Sequence, residues 1–255
     1  RRKGATIEPP CIQKSRWNTI VEGKTIYLGF NLINGIENND IRKLLDHRSK
    51  DGVFASFDDF LKRTYMTIEN VMLLVRIGAF RRISTEKQQL KWRTHLFYTH
   101  NKRAEKQPEL FESNNKTYAF PQLPVDQMEQ AFEEMELLGF PLCNPFLLLH
   151  EPISTTVQAT AFDQCAGRTI IIYGYLVAIK NTTTNKGEHM CFGTFIDYWG
   201  TYFETVHFPP ALKAFPFHGR GIYRLYGKVT QEFGYYSLEI IKSEKLNFIE
   251  DPRYK

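Results

Sequence analysis

The sequence has no CxxC pair. Its four cysteines, Cys11, Cys143, Cys165 and Cys191, are scattered, which excludes a zinc ribbon and points to free thiols in a reducing, cytoplasmic setting. It has no run of eighteen apolar residues and no signal peptide, so no membrane partner is expected. There is no HExxH, and the seven histidines show no metal-ligand spacing, so no metal site is assigned. Walker, GxSxG and GxGxxG patterns are also missing, and with them any ground for a cofactor or a catalytic residue. The adjacent Asp58 and Asp59 fit a helix N-terminus better than a metal site. An initiator Met is lacking too: the chain opens at Arg1-Arg2-Lys3, as a fragment of something longer would.

What is present is enough for a core. Hydrophobic residues make up 42% of 255, room for one large domain or two small ones. The net charge of +5 permits nucleic-acid binding without demanding it. The charge is unevenly placed. Arg81 to Lys106 holds eight Lys/Arg and two acids, whereas Asp126 to Glu136 holds five acids and no base. The first stretch could lie along phosphates and the second could not; two solvated helix faces explain the same pattern.

The periodicity divides the chain into a helical region over 1–105, a linker over 106–124, a connecting helix and loop over 125–164, and a β region over 165–250. Residues 1–24 read as irregular. Helices are expected over Asn39–His47, from a Ser56 cap to Arg63, and from a Thr67 cap to Gly78. A longer basic helix should run from Ser84 and Thr85 to about Ala104, and an acidic one over Val125–Gly139. The β region offers strands at Thr169–Lys180, Met190–Asp197, Thr201–Phe208, Gly221–Val229 and Tyr235–Ile241, with a short helix at Pro210–Ala214. Five strands with a small helix after the third is the order of an OB-fold barrel, an order other small barrels approach. The expected class is α+β: a helical, helix-hairpin-helix-like region followed by a five-stranded OB-fold β-barrel.

Three sets of residues are candidates for binding. In the barrel, Tyr173, Tyr175 and Phe192, among rings that include Phe195, Trp199, Tyr202 and Phe203, could stack on the bases of a single strand. Lys180 and Lys186 flank the loop between the first two strands and could meet its phosphates. Strand alternation sends about half of these rings into the core, and the pattern does not say which half. In the polar linker, Gln107, Leu110 and Phe111 have the form of a short linear motif with two apolar anchors; folding back onto the host is the alternative. In the helical region, Gly35 lies before the helix at Asn39. A hairpin there could aim N–H groups at a duplex phosphate, or be a simple αα turn. Arg81, Arg82, Lys87 and Lys91 supply cations for the same duplex backbone.

In order along the chain, these pieces resemble the C-terminal region of the catalytic alpha subunit of bacterial DNA polymerase III. Ile7 to Ser15 is similar to that family's entry segment, and Tyr27 to Ile36 to its helix-hairpin-helix. Ser56–Phe60 and Ile77–Phe80 match a paired motif, and Gln107–Phe111 sits where the family carries a sliding-clamp motif. Glu136–Phe140 with Asn144-Pro145, and Thr184–Phe192 with Thr194 and Asp197, continue the match into the barrel. Each piece is weak alone, and their colinearity over some 200 residues is specific. The resemblance implies DNA as partner, duplex and single-stranded, with a sliding clamp and other polymerase III holoenzyme subunits. It also implies that this fragment lacks the aspartate-bearing palm and does not polymerise. Glu37 departs from the family by standing where the hairpin's second glycine is expected, which opposes phosphate. Arg81 and Pro141 depart as well, suggesting a divergent or accessory copy. The rival classes are a structural or partner-docking OB module and an RNA-binding barrel.

Overall fold

The computed structural model describes residues 4–104, 127–153, 157–232 and 234–254. Its contacts divide the chain into two units, residues 1–142 with 251–255, and residues 143–250.

The first unit begins with three short strands, β1 (Thr6–Glu8), β2 (Ile20–Glu22) and β3 (Thr25–Tyr27), in the order β1-β3-β2. Strands this short carry no periodic signal, which is why residues 1–24 read as irregular. Five helices follow: α1 (Asn38–Asp51), α2 (Phe57–Thr64), α3 (Ile68–Arg76), α4 (Lys87–Ala104) and α5 (Gln127–Leu138). Both expected caps form. The Ser56 side chain accepts from the Asp59 N–H at 3.1 Å while Asp59 accepts from Ala55 N–H at 2.9 Å, a reciprocal box at the start of α2. Thr67 Oγ1 accepts from Asn70 N–H at the start of α3.

The core of this unit is aromatic. Phe57 and Phe60 each meet Phe80 edge-on at 4.9 Å, and Phe54 meets Phe60 at 5.1 Å, with Ile41, Leu44, Val71 and Leu74 packed around them. Edge-to-face pairs of this kind add about 0.5–1.5 kcal/mol beyond area burial. A buried carboxylate ties the helices. Asp40 on α1 accepts from Thr67 N–H (3.0 Å), Thr67 Oγ1 (3.3 Å) and Asn70 Nδ2 (2.8 Å), and Lys43 Nζ lies 3.2 Å from its other oxygen. Burial alone would raise the Asp40 pKa, but these donors and the Lys43 charge together hold it below the usual carboxylate value.

The second unit is a closed barrel of β4 (Thr169–Thr183), β5 (His189–Ile196), β6 (Tyr202–His207), β7 (Ile222–Glu232) and β8 (Tyr235–Lys245). A short helix, α6 (Pro209–Ala214), separates β6 from β7. Around the barrel the order is β4-β5-β6-β8-β7; every pairing is antiparallel except β6 with β8. That is the OB-fold arrangement, first-second-third-fifth-fourth. β4 pairs with β7 along its first half and β5 along its second, with a bulge between Leu176 and Ala178 that bends it around the barrel. Ile172, Leu176, Phe195, Phe203, Tyr223, Leu225 and Leu238 fill the interior. Gly174 is there because Phe195 and Phe203 are: a Cβ would lie 2.9 Å from Phe195 Cβ and 2.7 Å from Phe203 Cζ.

Candidate nucleic-acid interface

In the helical unit the hairpin before α1 forms, with Gly35 at φ +79°, a conformation that favours glycine. Three of its amides have partners within the unit. Asn34 N–H donates to Leu137 O at 2.7 Å, Ile36 N–H to Ile33 O, and Glu37 N–H to Asn70 Oδ1. Asn34 Nδ2 also donates to Glu136 O at 3.0 Å, so the end of the acidic helix α5 lies against the hairpin. The loop is a packing joint at these three amides, which leaves the N–H of Gly35 and the first-turn N–H groups of α1 as its remaining donors.

The cations assigned to duplex backbone are also engaged within the unit. Arg81 donates to Glu8 at 2.8 Å and to the carbonyls of Pro9, Pro10 and Gly78, pinning the N-terminal segment to the chain after α3. Lys87 reaches Glu133 at 2.9 Å and also donates to Arg76 O and Gln130 Oε1. Lys91 and Arg76 lie 3.6 and 3.5 Å from the same buried Glu133. Arg93 pairs with Asp58 at 2.7 Å. Lys87 and Lys91 of α4 thus meet Glu133 of the acidic α5, while Arg81 is held by the N-terminal segment, so all three have partners inside the unit. Arg82 is exposed, with one N–H on the Tyr27 hydroxyl at 2.9 Å. Gln107, Leu110 and Phe111 lie outside the described residues.

In the barrel the candidates separate by burial. Tyr175 is 8% exposed and packs with Phe146, Leu149 and Ile222 in a cluster outside the barrel wall, to which Tyr173 also belongs. The connector 145–153 lies over this face and closes Tyr175 off, while Tyr173 is half-buried against the same cluster. Burial raises the Tyr175 phenol pKa, and the Arg220 charge pulls it partly back. Phe192 is half-buried on the outer face, level with Lys180 on β4 and Val206 on β6. Lys180 and Lys186 are exposed, the latter in the loop joining β4 to β5, where Lys186 and Glu188 N–H groups both donate to Thr184 Oγ1.

Exposed rings lie elsewhere on the barrel, among them Tyr235, Tyr226 and Phe208, and three cluster at one turn. Tyr198, Trp199 and Tyr202, at the turn between β5 and β6, are 44%, 49% and 54% exposed. Their signal was in the sequence as the run Asp197-Tyr-Trp-Gly-Thr-Tyr202, a tight turn crowded with rings, which cannot all be core. Among the described residues no cluster of three metal-ligating side chains occurs, and no helix is long and apolar enough to cross a membrane.

Comparison with known proteins agrees with this architecture. The family model of the helix-hairpin-helix motif matches residues 4–90. The DNA polymerase III subunit alpha of Staphylococcus epidermidis (strain ATCC 12228) is 26% identical over 222 residues, covering 82% of this chain and 20% of that protein. The subunit of the same name from Treponema pallidum is 26% identical over 229 residues, covering 82% and 19%. The error-prone DNA polymerase of Bdellovibrio bacteriovorus is 28% identical over 96 residues, covering 36% and 9%. The chain therefore spans about a fifth of the length of the alpha subunits it matches along most of its own. The second OB-fold domain of replication protein A from Methanococcus maripaludis covers 33% of this chain and 87% of its own at 18% identity. Its TM-score of 0.21 is too low to bear on the barrel, whose assignment rests on its own strand order. The likeness to the C-terminal region of bacterial polymerase III alpha subunits, read from the colinear motifs, is borne out.

Proposed function

We propose that this chain is the DNA-handling, non-catalytic part of a bacterial DNA polymerase III alpha subunit, working in DNA replication in the cytoplasm. Its barrel holds single-stranded template, and Gln107, Leu110 and Phe111 tether it to the sliding clamp. The observation that carries the reading is one of continuity. Similarity to the alpha subunits covers 82% of the chain, more than either the helical unit or the barrel could supply alone. The helix-hairpin-helix match over residues 4–90 supports it independently.

In this reading the helical unit is chiefly a frame. Three of its hairpin amides and most of its candidate cations have partners inside the unit. Contact with a single strand falls to the barrel's open rings and to Lys180, Lys186 and Phe192. Clamp tethering would act through effective concentration: a weak motif keeps the polymerase near the primer end without adding contacts to DNA.

The test uses the intact chain with a fluorescent oligonucleotide, a primed template and purified sliding clamp. DNA binding at low salt is expected, and Leu110→Ala/Phe111→Ala should lose the clamp and keep the DNA. Clamp binding undiminished in that variant would remove the motif assignment. Absence of binding to any oligonucleotide would remove the function.

A further inference from the structure

We infer that the turn between β5 and β6 is a base-stacking site for single-stranded nucleic acid, with Trp199 and Tyr202 as its platforms. This rests on the proposed function and locates where in the barrel it is performed.

The first observation is that the turn is built to be rigid. Asp197 is 2% exposed, and its carboxylate organises everything around it. Oδ1 accepts from Trp199 N–H at 3.0 Å and Thr201 N–H at 2.7 Å, and Oδ2 accepts from Ala159 N–H at 3.0 Å. The backbone closes the same turn through Asp197 N–H to Thr201 O and Gly200 N–H to Asp197 O. Gly200, at φ +83°, supplies the left-handed step. Charge-assisted bonds to three amides fix a loop that would otherwise have to be ordered on binding.

The second observation is what the rigid turn displays. Tyr198 is braced from behind, its ring edge-on to Phe146 at 5.6 Å. Trp199 stands edge-on to Tyr198 at 5.5 Å and 81°, which leaves it about half open to solvent. Tyr202, at the start of β6, is level with Ile196, and Ile196 with Tyr175. A solvent-facing indole held by its edge is costly to water and adds nothing to the barrel's interior. It is also what a nucleobase stacks on.

The third observation is charge, which selects the occupant. Residues 143–250 carry nine Lys/Arg and nine Asp/Glu, so the barrel is neutral and the whole +5 belongs to the other unit. A neutral barrel does not hold a strand by counter-ion release alone; ring faces must contribute. Tyr202 heads the row Tyr202–Ile196–Tyr175 across β6, β5 and β4. Glu204, two residues beyond Tyr202 and within 3.4 Å of Thr194 Oγ1, makes its own side unfavourable to phosphate. The arrangement therefore seats bases on Trp199 and Tyr202 with the backbone away from Glu204.

The experiment compares three oligonucleotides of equal length, about ten nucleotides, which suits one OB-fold: oligo-dT, an abasic strand with the same phosphates, and oligo-rU. Each is titrated by fluorescence anisotropy against the intact chain, Trp199→Ala/Tyr202→Ala, and Trp199→Leu, which keeps bulk and removes the π-face. Wild type should prefer oligo-dT to the abasic strand. The double variant should lose about tenfold to a hundredfold for oligo-dT and nothing for the abasic strand, and Trp199→Leu should lose part of that, which stands even if the double variant folds poorly. Unchanged oligo-dT affinity in a folded variant overturns the site, leaves the barrel's function standing, and marks the rings as a protein-docking surface. No binding by wild type overturns both. Oligo-rU bound better than oligo-dT, with the same ring dependence, keeps the stacking site and overturns the assignment of DNA.

Discussion

His207 makes the stability of the barrel depend on pH in a direction that can be worked out in advance. It lies fully buried on β6, its Nε2 3.0 Å from Thr205 Oγ1, which itself donates to Gly193 O. Because the Thr205 hydroxyl is committed as a donor, the ring must place its proton on Nε2. Nδ1 is then a buried atom with no hydrogen-bond partner, and the imidazole ring packs against the Phe217 ring with centroids 4.5 Å apart. A second proton has nowhere favourable to go, and burial pushes the pKa from the ordinary 6.5 down to about 4. Level with His207 across the sheet is Cys191, whose thiol burial keeps neutral, so no counter-charge is at hand there. Between pH 6.5 and 4 the unfolded chain therefore binds a proton that the folded chain refuses. The contribution is complete above pH 6.5 and is lost as pH falls toward 4. At about 1.4 kcal/mol per pH unit the loss is capped at about 3 kcal/mol. Urea unfolding followed by tryptophan emission at pH 7.5, 6, 5 and 4.5 measures it. The difference between wild type and His207→Gln isolates this residue, since all other titrating groups are common to both. Wild type should lose about 1 kcal/mol or more relative to the variant by pH 5. A difference that stays flat across the range would refute the reasoning.

Three further substitutions follow from the same kind of accounting. Asp40→Ala removes the acceptor for Thr67 N–H and Asn70 Nδ2 where α1 meets α3, and should cost about 3 kcal/mol in the helical unit's urea transition. Glu133→Gln leaves Lys87, Lys91 and Arg76 without their shared buried counter-charge. A loss of about 3 kcal/mol or more is expected in thermal melts, with DNA affinity unchanged if these cations are structural. Asp197→Ala deprives three amides of their acceptor; it should speed hydrogen exchange at Trp199 and Thr201 and cost about 2–4 kcal/mol of barrel stability by the same measure.

Much of this architecture was legible because it is local. The Ser56 and Thr67 caps, the strands of the barrel and the short helix after its third strand each carry their own signature within a few residues, and α1, α4 and α5 fall where the periodicity puts them. What was not legible is pairing between distant segments. The basic helix reads as a phosphate track until Glu133, more than forty residues away from Lys87, is seen to face it. Likewise Tyr173 and Tyr175 are two of several rings that alternation does not sort into core and surface, and it takes the fold to show them packed with Phe146 and Leu149. Trp199 and Tyr202 were visible as rings, but their exposure depends on a carboxylate that holds the turn clear of the core. The three-residue strands β1, β2 and β3, and the Arg253 contact with Glu136 that returns the chain end to the helical unit, are long-range features without a local code.

In the proposed function the barrel, and not the basic helix α4, holds the nucleic acid. Photocrosslinking of the intact chain to a single-stranded oligonucleotide, with the crosslinked peptides identified by mass spectrometry, tests it most directly. Crosslinks are expected within the barrel, at Trp199 and Tyr202 and in the loop bearing Lys186. Crosslinks confined to residues 87–104, with the barrel peptides unmodified, would contradict it.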